Sequence, residues 1–493
     1  MLGSGLLLVA ILAYLSVMVF MSVWKQKFRG KLPPGPTPLP YIGNYLQLNT
    51  KDIYGSITEL SERYGPVFTI HLGLRRVVVL YGYDAVKEAL VDQAEEFSGR
   101  GEQATYNTLF KGYGVTFSSG ERAKQLRRFT IATLRDFGVG KRGVEERIQE
   151  EAACLVKMLQ GTCGAPIDPS LYLSQTVSNV INSIVFGDRF DYEDKEFQKL
   201  LHMMNQMNKF AASRLGQLYD MFYSVLKYLP GPQQQLLKHA QELEDFMERK
   251  VKQNQSTLDI NSPRNFIDSF LIHMQEEKKN PNSEFHIKNL VMTSLNLFFA
   301  GSETVSSTLR YGFLLLMKHP DVEAKVHEEI DRVIGRNRQP QFEDHMKMPY
   351  TEAVINEIQR FANLAPLGIP RKTIKDTTFR GFFLPKDTEV FPILGSLMTD
   401  PKFFPSPEEF NPQNFLDDRG QLKKNAAFVP FSIGKRFCLG DNLARMELFL
   451  FFTAILQNFR FQFPKKLEDI NESPKPLRFT RIIPTYTISF LPI

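Results

Sequence analysis

The stretch Phe431-Ser-Ile-Gly-Lys-Arg-Phe-Cys-Leu-Gly440 brackets one cysteine with two glycines and an arginine at fixed spacing. The residues that follow, Asp441–Phe452, have the pattern of a helix. A loop therefore delivers Cys438 to a helix N-terminus, where free N–H groups and partial positive charge favour a thiolate over a thiol. A thiolate in this position is a strong ligand for a soft or borderline metal ion.

The residues around Cys438 suit a flat, anionic ligand. Gly434 permits a tight turn, and Gly440 permits close approach of such a ligand. Arg436 offers a planar fork for a carboxylate. The alternative is a buried structural cysteine, since free cysteines are often buried, but the flanking residues favour the ligand interpretation.

The composition excludes several classes of protein. Of the 493 residues, 43% are hydrophobic, which is ample for a large core, and the net charge of +6 is too weak to indicate nucleic-acid binding. The three cysteines, Cys154, Cys163 and Cys438, are too sparse for a disulfide scaffold and indicate a reducing compartment. The sequence contains no Cys/His cluster that suggests zinc and no evident non-haem iron triad.

The N-terminus predicts a membrane anchor over residues 1–24, which carry no charge. The apolar run Leu6–Trp24 is long enough to span a bilayer. Basic residues follow at once, namely Lys25, Lys27, Arg29 and Lys31, which predicts a lumenal N-terminus and a cytosolic remainder. A cleaved signal peptide is the alternative, but such peptides usually carry their positive charge before the apolar run.

A basic, proline-rich linker is predicted over residues 25–40, and one globular domain over residues 41–493. Within the domain, Pro66–Leu72 and Arg76–Tyr81 are β-rich runs separated by Gly73, which predicts a hairpin. Most of the chain up to about residue 360 has helical periodicity. Short strands are predicted near Thr378–Phe382 and Glu389–Leu394.

The segment Leu290–Met317 is apolar on nearly every face, which indicates a helix buried in the core. A second membrane span is the alternative, and its polar residues would make it costly. One face carries small and polar residues at every fourth position, namely Asn296, Ala300, Thr304 and Thr308. The Thr304 hydroxyl can bond back to the Ala300 carbonyl, and Glu303 can relay protons through water. Gly301 lets a small ligand approach the backbone.

Phe431, Gly434, Arg436, Cys438 and Gly440 match the haem-thiolate signature F-x-x-G-x-R-x-C-x-G at every fixed position. The chain resembles the cytochrome P-450 monooxygenases from end to end, in particular family 2, subfamily A, and within it the rodent steroid hydroxylases. The resemblance implies a mainly α fold with small β-sheets and one N-terminal transmembrane helix. It also implies haem b (iron protoporphyrin IX), with Cys438 as the axial ligand of the iron, bound by the catalytic domain 41–493.

Further residue roles follow from the resemblance. Thr304 and Glu303 are implied to be catalytic, within a segment that is similar to the family's oxygen-binding motif. The implied haem-binding residues are Arg100, Arg127, Arg371, Arg436, Ala300 and Gly301.

Glu357 and Arg360 are implied to be structural, as the family's E-x-x-R pair. The chain departs from the family pattern twice, because Ala123 replaces a tryptophan and Asn414 replaces an arginine. The first change removes one propionate donor, and the second removes the third member of a salt-bridge network.

An axial thiolate favours O–O cleavage, so the implied reaction inserts one oxygen atom from O2 into a C–H bond of a lipophilic substrate. The chain has no flavin or nicotinamide fingerprint, so electrons from NADPH require a separate protein. The resemblance implies NADPH–cytochrome P-450 reductase, with cytochrome b5 as an optional second donor, at the endoplasmic reticulum membrane. Basic residues that could dock an acidic partner are Lys124, Arg127, Arg128, Arg135, Lys141, Arg142 and Lys435.

The substrate hypothesis rests on three polar residues. Tyr106, Asn208 and Asn296 are implied to line the pocket, and Asn208 stands where coumarin-type members carry an aromatic residue. The methionine-rich run Met203–Met207 is adaptable and suits a larger ligand. A steroid of the testosterone type is therefore predicted, with coumarin- or nicotine-type small xenobiotics as the alternative. A non-catalytic haem sensor or carrier is the alternative of another class, and it would need neither Thr304 nor Glu303.

Overall fold

A computed structural model of the protein describes residues 32–49, 52–139, 142–463 and 483–493. The predicted anchor, the linker up to residue 31 and Lys141 lie outside these residues. Within the described ranges, no helix is both long enough and apolar enough to cross a bilayer.

Most of the described chain is helical, which confirms the predicted mainly α class with small sheets. The α-helices are α1 (Ile53–Tyr64), α2 (Tyr83–Lys87), α3 (Ala104–Phe110), α4 (Gly114–Phe117), α5 (Gly120–Asp136), α6 (Arg142–Gln160), α7 (Ser170–Val185), α8 (Lys195–Ala211), α9 (Arg214–Met221), α10 (Tyr223–Leu226), α11 (Gln233–Ser256), α12 (Phe266–Glu276), α13 (Ile287–Lys318), α14 (Pro320–Val333), α15 (Pro349–Ala362), α16 (Gly395–Met398) and α17 (Asp441–Asn458). A π-helical turn, Glu88–Asp92, continues α2. Short 3-10 turns cover Tyr45–Gln47, Glu277–Lys279, Phe342–Lys347, Pro412–Phe415 and Gly434–Arg436.

Helix α13 is the axis of the main hydrophobic core. The sequence predicts it as Leu290–Met317, and the structure extends it to Ile287–Lys318, with most of its side chains buried. Its most extensive packing partner is α7. A buried helix that is apolar on all sides gains its stability from such packing rather than from its intrinsic propensity.

The strands form one larger sheet and two ribbons. The larger sheet has the order β1 (Val67–Leu72), β2 (Arg75–Leu80), β7 (Glu389–Pro392), β4 (Arg371–Lys372) and β3 (Gly99–Arg100). The ribbons pair β5 (Thr377–Phe379) with β6 (Phe382–Leu384), and β8 (Phe459–Gln462) with β9 (Ser489–Pro492). The antiparallel pairing of β1 with β2 confirms the predicted hairpin. The larger sheet brings residues near 100 beside residues near 371, which matters for the site.

Candidate active site

The cysteine loop, Phe431–Gly440, is held in shape by its own backbone and by a neighbouring turn. The Cys438 amide donates to the Phe431 carbonyl at 3.0 Å. Gly434 has a φ of +76°, and a Cβ on it would lie 1.7 Å from the Leu90 carbonyl oxygen. Only glycine therefore fits the turn that carries Cys438 to the start of α17.

Cys438 faces an interior space. Part of the Cys438 surface is accessible from this space, although the residue lies deep in the protein. Burial therefore raises the pKa of its thiol. The Gly440 N–H and the charge of Arg127 lower this pKa only in part. The Gly440 N–H at the start of α17 thus favours the thiolate, as expected, while desolvation opposes it. Coordination of a metal ion would displace the proton.

The four predicted haem-binding arginines form a cluster: Arg100, Arg127, Arg371 and Arg436. Pairing of β3 with β4 sets Arg100 directly opposite Arg371. Burial, and after it repulsion from Arg436 and Arg127, lowers the pKa of Arg371 to about 9. Burial, and after it repulsion from Arg127, lowers the pKa of Arg436 to about 10. Burial and the other three arginines also lower the pKa of Arg100. Among the described residues, no carboxylate forms an ion pair with any of the four.

A buried cationic cluster of this kind requires an anion, because an unpaired charge is costly in a low-dielectric interior. The guanidinium groups meet backbone carbonyls instead, with Arg100 Nε donating to Thr116 O at 2.7 Å and Arg436 Nη2 to the same oxygen at 2.9 Å. The buried Nε of Arg371 has no hydrogen-bond partner. A ligand that carries carboxylates would complete these contacts, so the residues fit the propionates of haem.

Arg127 is also a support of the cysteine loop. Its Nη2 donates to the Phe437 carbonyl at 2.6 Å, one residue before Cys438. Ala123, which lies one turn earlier on α5, is buried and offers no donor in place of the family's tryptophan. The propionate role of Arg127 stays a prediction.

The E-x-x-R pair is fully buried beside the segment that leads to the loop. Arg360 donates to both carboxylate oxygens of Glu357 at 2.7 Å. Its guanidinium also donates to the carbonyls of Met398, Pro407 and Glu409. The Asn414 amide donates to the Glu357 carboxylate at 3.2 and 3.3 Å, so the position that is an arginine in the family supplies hydrogen bonds here but no charge. These contacts fit the predicted structural role.

One face of α13 is exposed in the middle of the helix, which indicates an internal space beside it. Ala300 and Thr304 are exposed although they lie in the middle of a helix whose neighbouring turns are buried. Their stripe therefore borders an internal space. The Thr304 hydroxyl donates to the Ala300 carbonyl at 2.9 Å, as predicted, and Thr308 repeats this bond to the Thr304 carbonyl at 2.8 Å.

Gly301 faces a neighbouring helix. A Cβ on Gly301 would lie 3.0 Å from Cγ1 of Ile181 on α7. The close packing of α13 on α7 by itself favours a glycine here. The predicted contact between Gly301 and a ligand stays a prediction.

Glu303, Asn208 and Tyr106 lie together on three elements. The Tyr106 hydroxyl donates to Asn208 Oδ1 at 3.1 Å. Burial raises the pKa of Glu303, while Arg310, the Asn208 side chain, Lys209 and Ser307 act in the opposite direction. Burial and the Glu303 carboxylate raise the pKa of Tyr106, which keeps its proton. We call α3, α8 and α9 the roof helices of the site.

Asn296 is only 2% exposed and is turned toward the segment that joins the roof to α5. Its Oδ1 accepts from the Thr116 amide at 3.0 Å, and its Nδ2 has no partner among the described residues. Asn296 therefore keeps one free donor, and its substrate role stays a prediction.

The methionine-rich run contributes to the main core, and its contact with a ligand stays a prediction. Met203, Met204 and Met207 are buried in the main core, because these positions of the amphipathic helix α8 face inward. An aromatic group beside Tyr106 was missed from the sequence. Tyr106 stacks on Phe117 with ring centroids 5.4 Å apart and meets Phe299 edge-on at 6.0 Å. The position of Phe299, immediately before Ala300, was the one signal in the sequence for this aromatic group.

Two of the basic residues that could dock a partner already have an acidic neighbour. Lys435 and Lys124 both pair with Glu95 on the surface beside the cysteine loop. Exposed ion pairs of this kind are weak, so the two lysines remain available to an acidic protein.

Comparison with known proteins agrees with this geometry. The family model described as Cytochrome P-450 matches residues 33–490. Over all 493 residues of both chains, the sequence is 87% identical to cytochrome P-450 2A9 of Mesocricetus auratus and 83% identical to cytochrome P-450 2A12 of Mus musculus. Identity to cytochrome P-450 2A13 of Homo sapiens is 72%, again over the full length of both chains. The chain therefore belongs to the cytochrome P-450 family of haem monooxygenases, in its subfamily 2A.

Proposed function

We propose that this protein is a steroid hydroxylase of the testosterone type, bound to the endoplasmic reticulum membrane and supplied with electrons by NADPH–cytochrome P-450 reductase. The observation that carries the substrate class is the polar pair Tyr106–Asn208 beside Glu303, where an apolar contact would suit a small planar aromatic. Family membership argues against the alternative of a non-catalytic haem carrier.

The residues of the site have two kinds of role: some would hold the haem, and others would deliver protons. Haem, when bound, supplies the activation of O2 for insertion into a C–H bond. Cys438 would hold the iron, and the arginine cluster would neutralise the propionates. Thr304 presents a hydroxyl to the cavity, and the Glu303 carboxyl, whose pKa is raised by burial, can take up a proton and pass it on.

Substrate selection is assigned to polar groups above the cavity. A pocket that hydrogen-bonds a hydroxyl or ketone rejects analogues that lack it, because buried polar groups are then left unpaired. The free Nδ2 of Asn296 is a donor of this kind. To bind the substrate, Asn208 would exchange its hydrogen bond with Tyr106 for one with a substrate group. A ligand as large as a steroid can reach Asn208.

A small planar xenobiotic is the second candidate. The stacked rings of Tyr106, Phe110 and Phe117, with Phe299 edge-on to them, form an aromatic wall. Such a wall suits a flat ligand of the coumarin type.

Competition between testosterone and coumarin in a reconstituted system tests the substrate class. We expect faster turnover of the steroid by the unmodified enzyme, and a shift toward coumarin in Asn208→Phe. Asn205→Phe, on the same helix, is the control for a general effect of added bulk. Faster coumarin turnover by the unmodified enzyme would reverse the ranking.

Membrane binding and electron supply are tested separately. Deletion of residues 2–24 should leave a haem-loaded domain 41–493 that partitions less to membranes. Reductase should support turnover of this form, and cytochrome b5 should be dispensable. A deletion product that fails to load haem would show that the segment belongs to the core, and a dependence on b5 would contradict the assignment of reductase as sole required donor.

A further inference from the structure

A further cavity lies between α6, α17 and the segment that follows α14. Its volume is about 580 Å³, and none of its lining residues belongs to the candidate active site. One face of α6 lines it with Gln149, Ala152, Ala153, Val156, Lys157 and Gln160. One face of α17 lines it with Leu450, Ala454, Gln457 and Asn458. Spacings of three and four residues are those of a single helix face, and a cavity of this size accommodates a small organic molecule.

The third wall of this cavity is held in place by amides from the two helices. Gln457 Nε2 on α17 donates to the carbonyls of Gly335 and Arg338, both at 2.7 Å. Gln149 Nε2 on α6 donates to the Pro340 carbonyl at 2.8 Å. The segment between these carbonyls therefore has a fixed position. A cavity with fixed walls spares a ligand the entropic cost of ordering them.

The floor of the cavity is aliphatic. Ala152, Leu450 and Ala454 are buried there, and the half-buried Val156 packs against the main core. The alanines are too small to fill the space where α6 and α17 pack together. The apolar body of a ligand would therefore be removed from water against this surface, which favours binding.

The rim of the cavity is cationic. Lys157, Arg336 and Arg338 line it, and no carboxylate does. Arg336 pairs at 2.6 Å with Asp331, which lies outside the lining. Arg338 pairs at 2.7 Å with Asp344, which also lies outside it. Lys157 is exposed, and in the part of the chain that the structure describes it has no carboxylate partner. The cavity thus keeps one uncompensated positive charge, which is complementary to a ligand with a single negative charge.

We propose that this cavity binds a small amphipathic anion of single charge. Its apolar body lies on the aliphatic floor, and its sulfate, sulfonate or carboxylate group meets Lys157 at the rim. The amides of Gln160 and Asn458, which line the same cavity, are donors suited to the remaining oxygens of such a group. The site is separate from the one that selects the substrate, so the proposal does not rest on the proposed function.

Equilibrium dialysis of anilinonaphthalene sulfonate against the haem-loaded full chain in phosphatidylcholine vesicles tests the site. Vesicles without protein supply the background. An azole that coordinates the iron first fills the active site, and the haem absorption spectrum shows that it stays filled. Phenyl naphthylamine has the same rings without the sulfonate and is the neutral control ligand. We expect the sulfonate to bind about fivefold more tightly than this control, because only the sulfonate meets the lysine.

Variants of the rim separate the charge from the fold. Lys157→Gln should weaken binding of the sulfonate about fivefold, the strength of a charge pair at an exposed position, and should leave binding of the neutral ligand unchanged. Lys157→Arg should restore the affinity. Lys252→Gln is the matched control, because Lys252 is an exposed lysine on α11, away from the cavity lining, and both ligands should bind to this variant as before.

A variant that fills the cavity tests its position. Ala153 is exposed on the lining face of α6, so Ala153→Trp should fold and should abolish binding of both ligands. Ala132→Trp, at an exposed position of α5, is the control for added bulk and should change neither affinity. Unchanged unfolding temperatures and haem spectra in these variants show that the fold is intact.

Four results would overturn the proposal. The sulfonate and the neutral ligand could bind equally tightly, or Ala153→Trp could leave both affinities unchanged, so that binding occurs elsewhere. Lys157→Gln could weaken both ligands alike, which is the effect of a lysine that only supports the fold. Dodecanoate, an apolar chain with one carboxylate, should displace the sulfonate. Displacement by phosphatidylserine vesicles and not by dodecanoate would assign the cavity to a membrane lipid instead of a free anion.

Discussion

The cysteine loop and the roof of the same cavity are held by different kinds of contact. The loop depends on near neighbours, such as the bond between the Cys438 amide and the Phe431 carbonyl, and on a glycine that no other residue can replace. The roof is held by a charged network between distant segments. Arg75 on β2 pairs with Asp220 on α9 at 3.0 Å and with Glu389 on β7 at 2.6 Å.

The network around Arg75 reaches both ends of the roof. Asp220 Oδ1 accepts from the Ala104 amide, the first residue of α3, at 2.6 Å. Arg75 also donates to the Glu102 carbonyl at 2.8 Å. Burial raises the pKa values of Asp220 and Glu389, and Arg75 opposes this. The comparison teaches that the cysteine loop is fixed by local backbone geometry, whereas α3 and α9 are tied to the sheet by a charged network around Arg75 and by the apolar contacts of Met221.

The largest effect is expected at the loop. Cys438→Ser should abolish the thiolate-type absorption spectrum of the reduced carbon monoxide complex and all oxygenation, because no other cysteine lies in such a setting. Cys154→Ser and Cys163→Ser are the matched controls and should keep both properties. Retention of the thiolate spectrum in Cys438→Ser would assign the ligand to one of these other cysteines.

A smaller loss is expected when the buried pair behind the loop is broken. Arg360→Met should lower the free energy of unfolding by about 3–5 kcal/mol, because it leaves the Glu357 carboxylate buried without its cation. Asn414→Ala removes only hydrogen bonds from that carboxylate and should cost about 1–3 kcal/mol. Thermal unfolding and haem retention measure both effects.

The control for the buried pair is an exposed one. Arg249 pairs with Glu196 at 2.7 Å on the surface, where both side chains are more than half exposed. Arg249→Met should cost less than about 1 kcal/mol. A similar cost for Arg249→Met and Arg360→Met would mean that burial does not decide the strength of the E-x-x-R pair.

The next largest effect is expected when the charged network around Arg75 is broken, and it should be confined to the roof helices. Arg75→Met removes charged hydrogen bonds to two carboxylates, each worth about 1.5–3 kcal/mol in stability at most, since Arg75 is partly exposed. Hydrogen exchange should rise in α3 and α9, while the carbon monoxide spectrum stays that of a thiolate. Faster exchange in the cysteine loop than in the roof would refute the separation of the two regions.

The smallest effect is expected on the cavity face of α13. Thr304→Ala should keep haem and substrate binding, but should yield less product per NADPH and more peroxide, because proton delivery is disordered. The loss of one hydrogen bond, about 1 kcal/mol, corresponds to a change of roughly fivefold in this ratio. Thr308→Ala, one turn further along the same stripe, is the control. An unchanged ratio in Thr304→Ala would remove this residue from the mechanism.

Sequence reasoning was most successful where the signal is local. The β1–β2 hairpin, the buried helix α13 and the bond from Thr304 to Ala300 follow from the order of neighbouring residues. Burial is harder to read from a single sequence: it raises the pKa of the Cys438 thiol, against the local effect of the Gly440 N–H. The same holds for the methionine run, whose composition suits a pocket and whose helical register places Met203, Met204 and Met207 in the main core.

The sequence by itself determined the candidate iron ligand, because a cysteine, a turn and a helix N-terminus can all be encoded within ten residues. Only the tertiary structure decided which distant residues meet. It gathers the four arginines from separate segments, sets Arg75 against Asp220, and brings Asn208 to Tyr106. Such contacts depend on how helices and strands pack, and side-chain packing over long sequence separations leaves no pattern in a single sequence.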